Sequence, residues 1–284
     1  MSDKNTTEDD KSTYDEQVHD AVRAAYATIA VEGGNSGCCA PTQTESSGDS
    51  CCSPGPAAPE DFSARMGYSE EEMAAVPDGS NLGLGCGNPS AIAAMQPGEV
   101  VIDLGSGAGF DAFLAARQVG ETGHVIGVDM THEMLHKARE NAVKVGLENV
   151  EFRLGEIEHL PVADNTADVI ISNCVINLSP EKAQVLKESF RVLKPGGRIA
   201  VSDVVATAAM PQEVLNDEFL LCGCVSGAAP VADLTAWLQE AGFESVEITV
   251  KEESRDFIKD WAPGSGVENY VASANIEAVK PQSS

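Results

Sequence analysis

The chain has 284 residues, of which 45 are acidic and 18 are basic, so its formal net charge at pH 7 is -27. Such a charge repels nucleic acid and anionic membrane surfaces, and neither is expected as a partner. A hydrophobic fraction of 43% is enough for one large α/β core with appendages. No apolar run approaches the roughly 20 residues that span a bilayer. No signal peptide precedes Tyr14, so we expect a cytoplasmic protein.

The acidic excess is spread along the chain rather than held in one tail. This pattern is typical of cytosolic proteins from salt-loving microbes, whose charge is screened at molar salt, although a merely acidic protein is the alternative. The eight cysteines are not expected to form a static disulfide framework in a chain without a signal peptide. We expect mostly reduced thiols that are available for metalloid binding or redox chemistry. Ordinary packing of buried cysteines is the alternative at each position.

The N-terminal part of the sequence predicts a helix followed by a cysteine-bearing loop. Residues 1–13 are polar and are expected to be disordered, whereas apolar side chains at helical spacing favour a helix over residues 15–32. Residues 33–61 are rich in Gly, Ser and Pro and are interpreted as a mobile loop. Two pairs of adjacent cysteines lie in that loop: Cys38-Cys39 and Cys51-Cys52.

The rest of the chain predicts a doubly wound, Rossmann-like α/β sheet. A helix begins near Ser69, which fits a capping box with Glu72. From residue 99 onward helices alternate with near-continuous apolar strands, which are typical of a parallel sheet. Those strands are EVVIDLG, HVIGVDM, VEFRLG, ADVIISN and RIAVSDV. Residues 205–230 interrupt the alternation as a substrate-covering insertion, and a helix and two final strands follow. The predicted segments are 1–62, 63–205 and 206–284.

The glycine turn after the first strand indicates a cofactor site. Gly105, Gly107 and Gly109 let the backbone approach a ligand at the carboxyl ends of the strands. A dinucleotide-binding turn would place glycine at Phe110, so the pattern favours S-adenosylmethionine (SAM) over a nicotinamide cofactor or a non-catalytic Rossmann domain. Asp129 ends the next strand, where a carboxylate can accept both ribose hydroxyls, and Glu156 is placed to meet the adenine edge. The residues predicted to line the crevice are Asp103, Gly105, Gly107, Asp129, Met130, Glu156, Ile157 and Asn173.

Four cysteines lie where a substrate would meet this crevice. Cys174 follows Asn173 at the carboxyl end of a central strand, the rim that faces the ligand in open α/β sheets. Cys222 and Cys224 lie in the insertion, and Cys86 lies in a glycine-rich loop. Because thiolates prefer soft acceptors, a methyl donor beside these cysteines favours a soft, thiol-seeking substrate. Zinc is less favoured because no compact CxxC…CxxC arrangement or histidine cluster accompanies them.

The chain resembles the arsenite SAM methyltransferases over residues 65–280. Five stretches carry the resemblance: VIDLGSGAGFDAFLAARQVG, GHVIGVDMTHEML, FRLGEIEHLPVAD, ISNCVINLSP and DWAPGSGVENYV. The resemblance implies that Cys174 and Cys224 hold trivalent arsenic and that Cys86 joins a disulfide relay. A further relay thiol maps onto Cys38 or Cys39, and the choice between them stays open. The chain departs from the family in three additional cysteines and in the absence of aromatic residues before Cys86: Cys51, Cys52 and Cys222, with Leu84 and Gly85 at the aromatic positions.

The resemblance implies an enzyme that methylates arsenite for detoxification. The arsenic lone pair would attack the SAM methyl group, and no general base is needed because arsenic has no proton to lose. Cys86 would then form a disulfide with Cys174, returning the product to the trivalent state, and thioredoxin or a small thiol would reduce the relay. Two alternatives remain: a methyltransferase of another small molecule, such as a quinone precursor, and a non-catalytic metalloid sensor.

Overall fold

The structure is a computed structural model that describes residues 8–32 and 58–282. The N-terminal cysteine pairs, for which we expected a relay role or none, lie outside the described residues: Cys38, Cys39, Cys51 and Cys52. Within the described part of the chain, every helix is too short or too polar to cross a membrane.

A single sheet of eight strands forms the centre of the molecule, in the order β3-β2-β1-β4-β5-β8-β7, with β6 beside β5. The first five strands are parallel, whereas β8 runs antiparallel to β5 and β7 antiparallel to β8. The predicted α/β sheet is confirmed, and the two final strands close one edge of it. The strands are β1 Val100–Leu104, β2 His124–Asp129, β3 Val150–Leu154, β4 Ala167–Asn173, β5 Leu193–Ala206, β6 Ala229–Pro230, β7 Glu244–Lys251 and β8 Val271–Val279.

Helices cover both faces of the sheet, which explains why the central strands are apolar on both sides. In β1, Val101, Ile102 and Leu104 are all fully buried. The larger helices and their shorter neighbours are α1 Glu8–Glu32, α2 Pro59–Arg65, α3 Glu70–Ala75, α4 Pro89–Ala93, α5 Phe110–Val119, α6 His132–Val145, α7 Lys182–Val192, α8 Gln212–Leu215, α9 Glu218–Cys222, α10 Val231–Ala241 and α11 Arg255–Ile258.

The strand order reverses between β1 and β4, and this reversal positions the site. In a doubly wound sheet the loops that leave such neighbouring strands diverge, so a crevice opens at their carboxyl ends. Gly105 begins the loop after β1, and Cys174 immediately follows β4. The glycine turn and a predicted substrate thiol therefore lie on the two walls of one crevice.

Local signals account for the helices around the crevice. The predicted capping box at α3 is confirmed, since the Glu72 amide donates to Ser69 Oγ and the Ser69 amide donates to the Glu72 carboxylate. The predicted N-terminal helix is present as α1, and it begins at Glu8 within a stretch that was expected to be disordered. Tertiary contacts with α6 and α9 hold it against the molecule.

Candidate active site

The crevice is a cleft with about 1000 Å³ of open space at the carboxyl ends of β1, β2 and β4. Seven of the eight residues predicted to bind the cofactor line it: Asp103, Gly105, Gly107, Asp129, Met130, Ile157 and Asn173. Cys174 lies at the same cleft, on the β4 side. Seven predicted cofactor residues and one predicted substrate thiol, that of Cys174, therefore converge on one cavity.

The glycine turn requires glycine at its first position. Gly105 has φ +65°, and a Cβ placed there would collide with the Val175 side chain. Asp129 fixes the neighbouring loops, because its carboxylate accepts hydrogen bonds from the Gly107 amide at 2.9 Å and from the Thr131 amide at 2.8 Å. The turn is thus held open by a carboxylate that also faces the cleft.

Three buried carboxyl groups face the cleft, and their surroundings raise the pKa of each. Burial raises the pKa of Asp103, and the neighbouring Asp111 and Asp129 raise it further. Burial also raises the pKa of Asp111 to about 6 and the pKa of Asp129 above its usual range, although hydrogen bonds to Thr131 and Gly107 oppose the latter shift. Asp103 Oδ2 and Ser106 Oγ are buried without a hydrogen-bond partner among the described residues.

This arrangement fits SAM. The molecule carries a sulfonium and an ammonium group, and both cations would lower the cost of ionising buried carboxyl groups. The unpartnered Asp103 oxygen is a ready acceptor for an ammonium group, while the Asp129 carboxylate at the end of β2 can accept ribose hydroxyls. The carboxylate acceptors of the cleft therefore match the charge and polarity of the cofactor.

A buried polar network connects the floor of the cleft to the Cys86 loop. The Tyr68 hydroxyl donates to Asp111 Oδ1 at 2.6 Å, and the Asn173 amide group donates to Asp111, to Tyr68 and to the Gly87 carbonyl. Asn173 Oδ1 in turn accepts from the Cys86 amide at 3.0 Å. Asn173, which the sequence placed at the cofactor, is therefore also the residue that joins the Cys86 loop to β4.

Helix α1 forms an outer wall of the cleft through His19, Val22 and Tyr26. It also explains the position of Glu156, the eighth predicted cofactor residue. The Glu156 carboxylate pairs with Arg23 at 3.3 Å and with His19 at 3.8 Å instead of lining the cleft. Glu158, which does line the cleft, is buried and accepts from His19 at 3.1 Å. No signal in the sequence had joined α1 to these two acids.

Three predicted substrate thiols, those of Cys86, Cys174 and Cys224, share one buried apolar cluster. The cysteines are 1%, 7% and 2% exposed, respectively. Cys174 and Cys224 both adopt left-handed backbone conformations, with φ of +60° and +63°. Such conformations cost a non-glycine residue about 1–2 kcal/mol and recur at functional positions. Both predicted arsenic ligands thus lie at strained backbone positions, which persist only where the surrounding structure holds them.

The thiols contact one another. Cys224 Sγ donates to the Cys174 carbonyl at 2.7 Å, and the Cys174 thiol interacts with those of Cys86 and Cys224. Burial raises the pKa of Cys174 well above its usual range, and the neighbouring thiols reinforce that shift. Burial raises the pKa of Cys86 as well. For Cys224 the hydrogen bond with Cys174 lowers the pKa, but burial and nearby negative groups outweigh it, and the net shift is upward.

Asp203 is the residue of this cluster that sequence reasoning missed. One oxygen of its carboxylate lies within 4.8 Å of the sulfur atoms of both Cys86 and Cys174. It is 2% exposed, and burial raises its pKa to about 6. Lys182, whose pKa burial lowers, interacts electrostatically with Asp203 and Cys224. One signal in the sequence could have indicated this proximity. Asp203 lies in RIAVSDV, which forms part of β5, and β5 pairs with β4, the strand that Cys174 follows.

Cys222 is buried at the end of α9, and its carbonyl accepts a hydrogen bond from the Tyr26 hydroxyl at 3.2 Å. This bond ties the cleft wall α1 to the insertion that carries Cys224. One residue separates Cys222 from Cys224 in the chain. Cys224 lies beyond the end of the helix, where its thiol donates to the Cys174 carbonyl.

Residues 95–242 match the family described as a methyltransferase domain. The chain is 57% identical over 267 residues to the arsenite methyltransferase of Halobacterium salinarum, covering 94% of this chain and 67% of that protein. It spans less than half the length of the matched arsenite methyltransferases of Aquipseudomonas alcaligenes, mouse, human and rat.

A solved structure supports the same assignment. An arsenic(III) SAM methyltransferase from Chlamydomonas reinhardtii is 34% identical, with a TM-score of 0.57, over 80% of this chain and 75% of that chain. A quinone-pathway relative, the ubiquinone/menaquinone C-methyltransferase of Salmonella paratyphi B, is 34% identical over 54% of this chain and 69% of that protein. The match to the Halobacterium salinarum protein covers nearly the whole chain, whereas the match to the Salmonella enzyme covers about half of it. The chain therefore belongs to the arsenite methyltransferases, which are SAM-dependent enzymes built on this α/β fold.

Proposed function

We propose that this enzyme methylates trivalent arsenic, with Cys174 and Cys224 as the arsenic ligands. The observation that carries the proposal is the buried cluster of Cys86, Cys174 and Cys224 at the rim of the cofactor cleft. A soft metalloid is the substrate that such a cluster suits, because thiolates bind soft ions in preference to hard ones. The arsenite methyltransferases to which the chain is similar act on the same substrate.

Binding of arsenite does not require thiolates to be present beforehand. Each As–OH bond that is replaced by an As–S bond consumes one thiol proton and releases one water molecule. The raised pKa values of Cys86, Cys174 and Cys224 keep these thiols protonated in the resting protein, which suits this exchange. Burial of the cluster then keeps the arsenic lone pair away from water.

The remaining task of the site is alignment. Bound SAM would supply a methyl group on a sulfonium, which is electrophilic enough for attack by the arsenic lone pair. The left-handed backbone of Cys174 and Cys224 fixes one side of the reacting pair, and the glycine turn with Asp129 fixes the other. Since arsenic loses no proton, orientation and exclusion of water account for the catalysis that the residues provide.

A disulfide relay would restore the product to the trivalent state. Methylation leaves pentavalent arsenic, and oxidation of two thiols to one disulfide returns two electrons to it. Cys86 suits this role because its sulfur lies within 4.8 Å of Cys174 Sγ. Thioredoxin or a small thiol would reduce the disulfide, directly or through the Cys38-Cys39 pair. This chemistry needs a reducing compartment, which supports the cytoplasm as the location and arsenic detoxification as the purpose.

The test is to incubate the purified chain with SAM, arsenite and a reducing thiol and to assay for methylated arsenicals. The proposal predicts methylated products that require all three components. A methyltransferase of a quinone precursor is the second candidate, favoured by the similarity to the Salmonella enzyme. Methylation of a quinone precursor without any methylated arsenical would establish that candidate and overturn the proposal.

A further inference from the structure

We propose that Cys86, Cys174, Cys224 and Asp203 also form a tetrahedral site for Zn²⁺, which competes with arsenic for the same thiols. The competition rests on the proposed function, whereas zinc binding itself does not. The sequence disfavoured zinc because its cysteines are scattered along the chain. The fold brings three of them together beside a carboxylate that no sequence motif had linked to them.

The ligand atoms are close to the spacing that zinc needs. The sulfur atoms of Cys86 and Cys174 and one oxygen of Asp203 all lie within 4.8 Å of one another. Around a tetrahedral zinc ion, with bonds of about 2.3 Å to sulfur and about 2.0 Å to oxygen, these ligand atoms are roughly 3.5–3.8 Å apart. Closing by about 1 Å around the ion is therefore enough. Cys224 lies outside this group of three, with its thiol on the Cys174 carbonyl, and would supply the fourth donor once its side chain rotates.

Hydrogen bonds around the cluster hold these ligands in place. Asp203 Oδ1 accepts short bonds from Asn177 Nδ2 at 2.8 Å and from the Val204 amide at 2.7 Å. Asp203 Oδ2 accepts a longer bond of 3.4 Å from the Asn177 amide. One carboxylate oxygen is thus firmly anchored, and the other is held by a weaker bond. Outer partners of this kind orient metal ligands and raise affinity.

The charge around the cluster also suits a divalent cation. Three thiolates and one carboxylate would leave the zinc complex with an excess of negative charge in a buried position. Two lysines offset that excess: Lys182 interacts with Asp203 and Cys224, and Lys251 interacts with Cys86. Zinc binding would release the thiol protons to solvent.

Asp203 should distinguish zinc from arsenic. Trivalent arsenic is soft, carries a lone pair and is satisfied by sulfur ligands. Zinc is borderline in softness, takes four ligands and accepts carboxylate oxygen readily. Replacing the carboxylate by an amide should therefore weaken zinc binding much more than arsenic binding.

The test is a zinc titration of the reduced full chain against a chromogenic chelator, without SAM or arsenic. Both the native chain and a background in which Cys38, Cys39, Cys51 and Cys52 are changed to Ser are measured. We expect one tightly bound Zn²⁺ in the background, displaced by one equivalent of arsenite. Asp203→Asn in that background should weaken zinc by more than about 100-fold, because loss of a direct ligand exceeds the effect of losing an outer partner. Asp256→Asn, a change at an exposed carboxylate, is the matched control for general attraction by the acidic surface.

Three outcomes would overturn the proposal: no zinc bound in the background, equal zinc affinity in the Asp203 and Asp256 variants, or arsenite that fails to displace the ion. Arsenite affinity of Asp203→Asn, measured in parallel, shows whether that variant keeps its fold. Cd²⁺ titration of the background provides a readout without the Asp203 change. The ultraviolet absorbance of the thiolate-to-cadmium charge transfer should correspond to three Cd–S bonds per ion. An absorbance that corresponds to two or fewer Cd–S bonds would contradict the proposed ligand set.

Discussion

Ionisation of Asp111 should couple SAM binding to pH. The pKa of this buried carboxyl is about 6, against an ordinary value of 3.8, which corresponds to about 3 kcal/mol. Below pH 3.8 Asp111 is protonated in both the folded and the unfolded protein, so it does not reduce the free energy of unfolding. Because its pKa is higher in the folded protein, the free energy of unfolding decreases as pH rises through about 6. A cationic ligand in the cleft favours the ionised carboxylate and lowers this pKa again. SAM binding should therefore tighten between pH 5 and pH 7 and release protons near pH 6.

The change to test is Asp111→Asn, which keeps an acceptor for the Tyr68 hydroxyl. The full 3 kcal/mol would tighten binding about 100-fold, and this is the upper limit on the pH effect of Asp111. Titration calorimetry in two buffers of different ionisation enthalpy measures affinity and proton release together. S-adenosylhomocysteine, which lacks the sulfonium charge, should show a smaller pH response than SAM. Asp103 and Asp129 face the same cleft and should supply a residual response.

The matched control is Asp164→Asn, at an exposed carboxylate paired with Arg191. It should leave both the affinity and the proton release as they are in the native chain. If Asp111→Asn has the same pH dependence of SAM affinity as this control, Asp111 does not interact with the cofactor charge and the reasoning fails.

Three further predictions follow from the site and the surface charge. Asp129→Ala removes the acceptor facing the ribose position and two loop hydrogen bonds, so affinity for S-adenosylhomocysteine should fall by roughly 1.5–3 kcal/mol; unchanged affinity in calorimetry would refute the assignment. Gly105→Ala should lower the free energy of unfolding by about 1–3 kcal/mol more than Gly146→Ala, because both glycines have φ +65° but only the former would meet a neighbouring side chain; equal losses in urea denaturation would contradict this. With a net charge of -27, the melting temperature should rise between about 0.1 M and 1 M salt as the screening length shortens from about 10 Å to 3 Å; a flat profile would rule out the halophile interpretation.

The sequence was most informative about the parts of the fold that depend on local pattern. Continuous apolar strands alternating with helices predicted the sheet, and the glycine turn and Asp129 marked the cofactor cleft. Periodicity carries no information on strand direction, so the antiparallel pairing of β7 and β8 became apparent only from the hydrogen bonds between them. The start of α1 at Glu8 was also missed, because the first residues of the helix carry no apolar periodicity that could have extended the prediction toward the N-terminus.

The polar interior of the site could not be read from the chain. Tyr68 and Asp111 are 43 residues apart, and their hydrogen bond depends on how the turn between α2 and α3 is placed against α5. Asp203 occupies a strand position that alternation treats as core, and its proximity to Cys86 depends on the tertiary fold. Glu156 was placed at the adenine edge by its position after β3, whereas its ion pair with Arg23 depends on the distant helix α1. Each of these features joins segments that lie far apart in the sequence.

The most direct test of the account compares two arsenic substrates in cysteine variants. Cys174→Ser and Cys224→Ser should abolish methylation of both inorganic arsenite and trivalent monomethylarsenic, because each removes a proposed arsenic ligand. Cys86→Ser should lose activity on arsenite yet retain activity on the monomethylated substrate, which has one fewer exchangeable ligand. Cys222→Ser, the neighbouring control in the insertion, should retain both activities. Full activity in Cys224→Ser together with loss in Cys222→Ser, or equal loss of both reactions in Cys86→Ser, would contradict the roles assigned to these thiols.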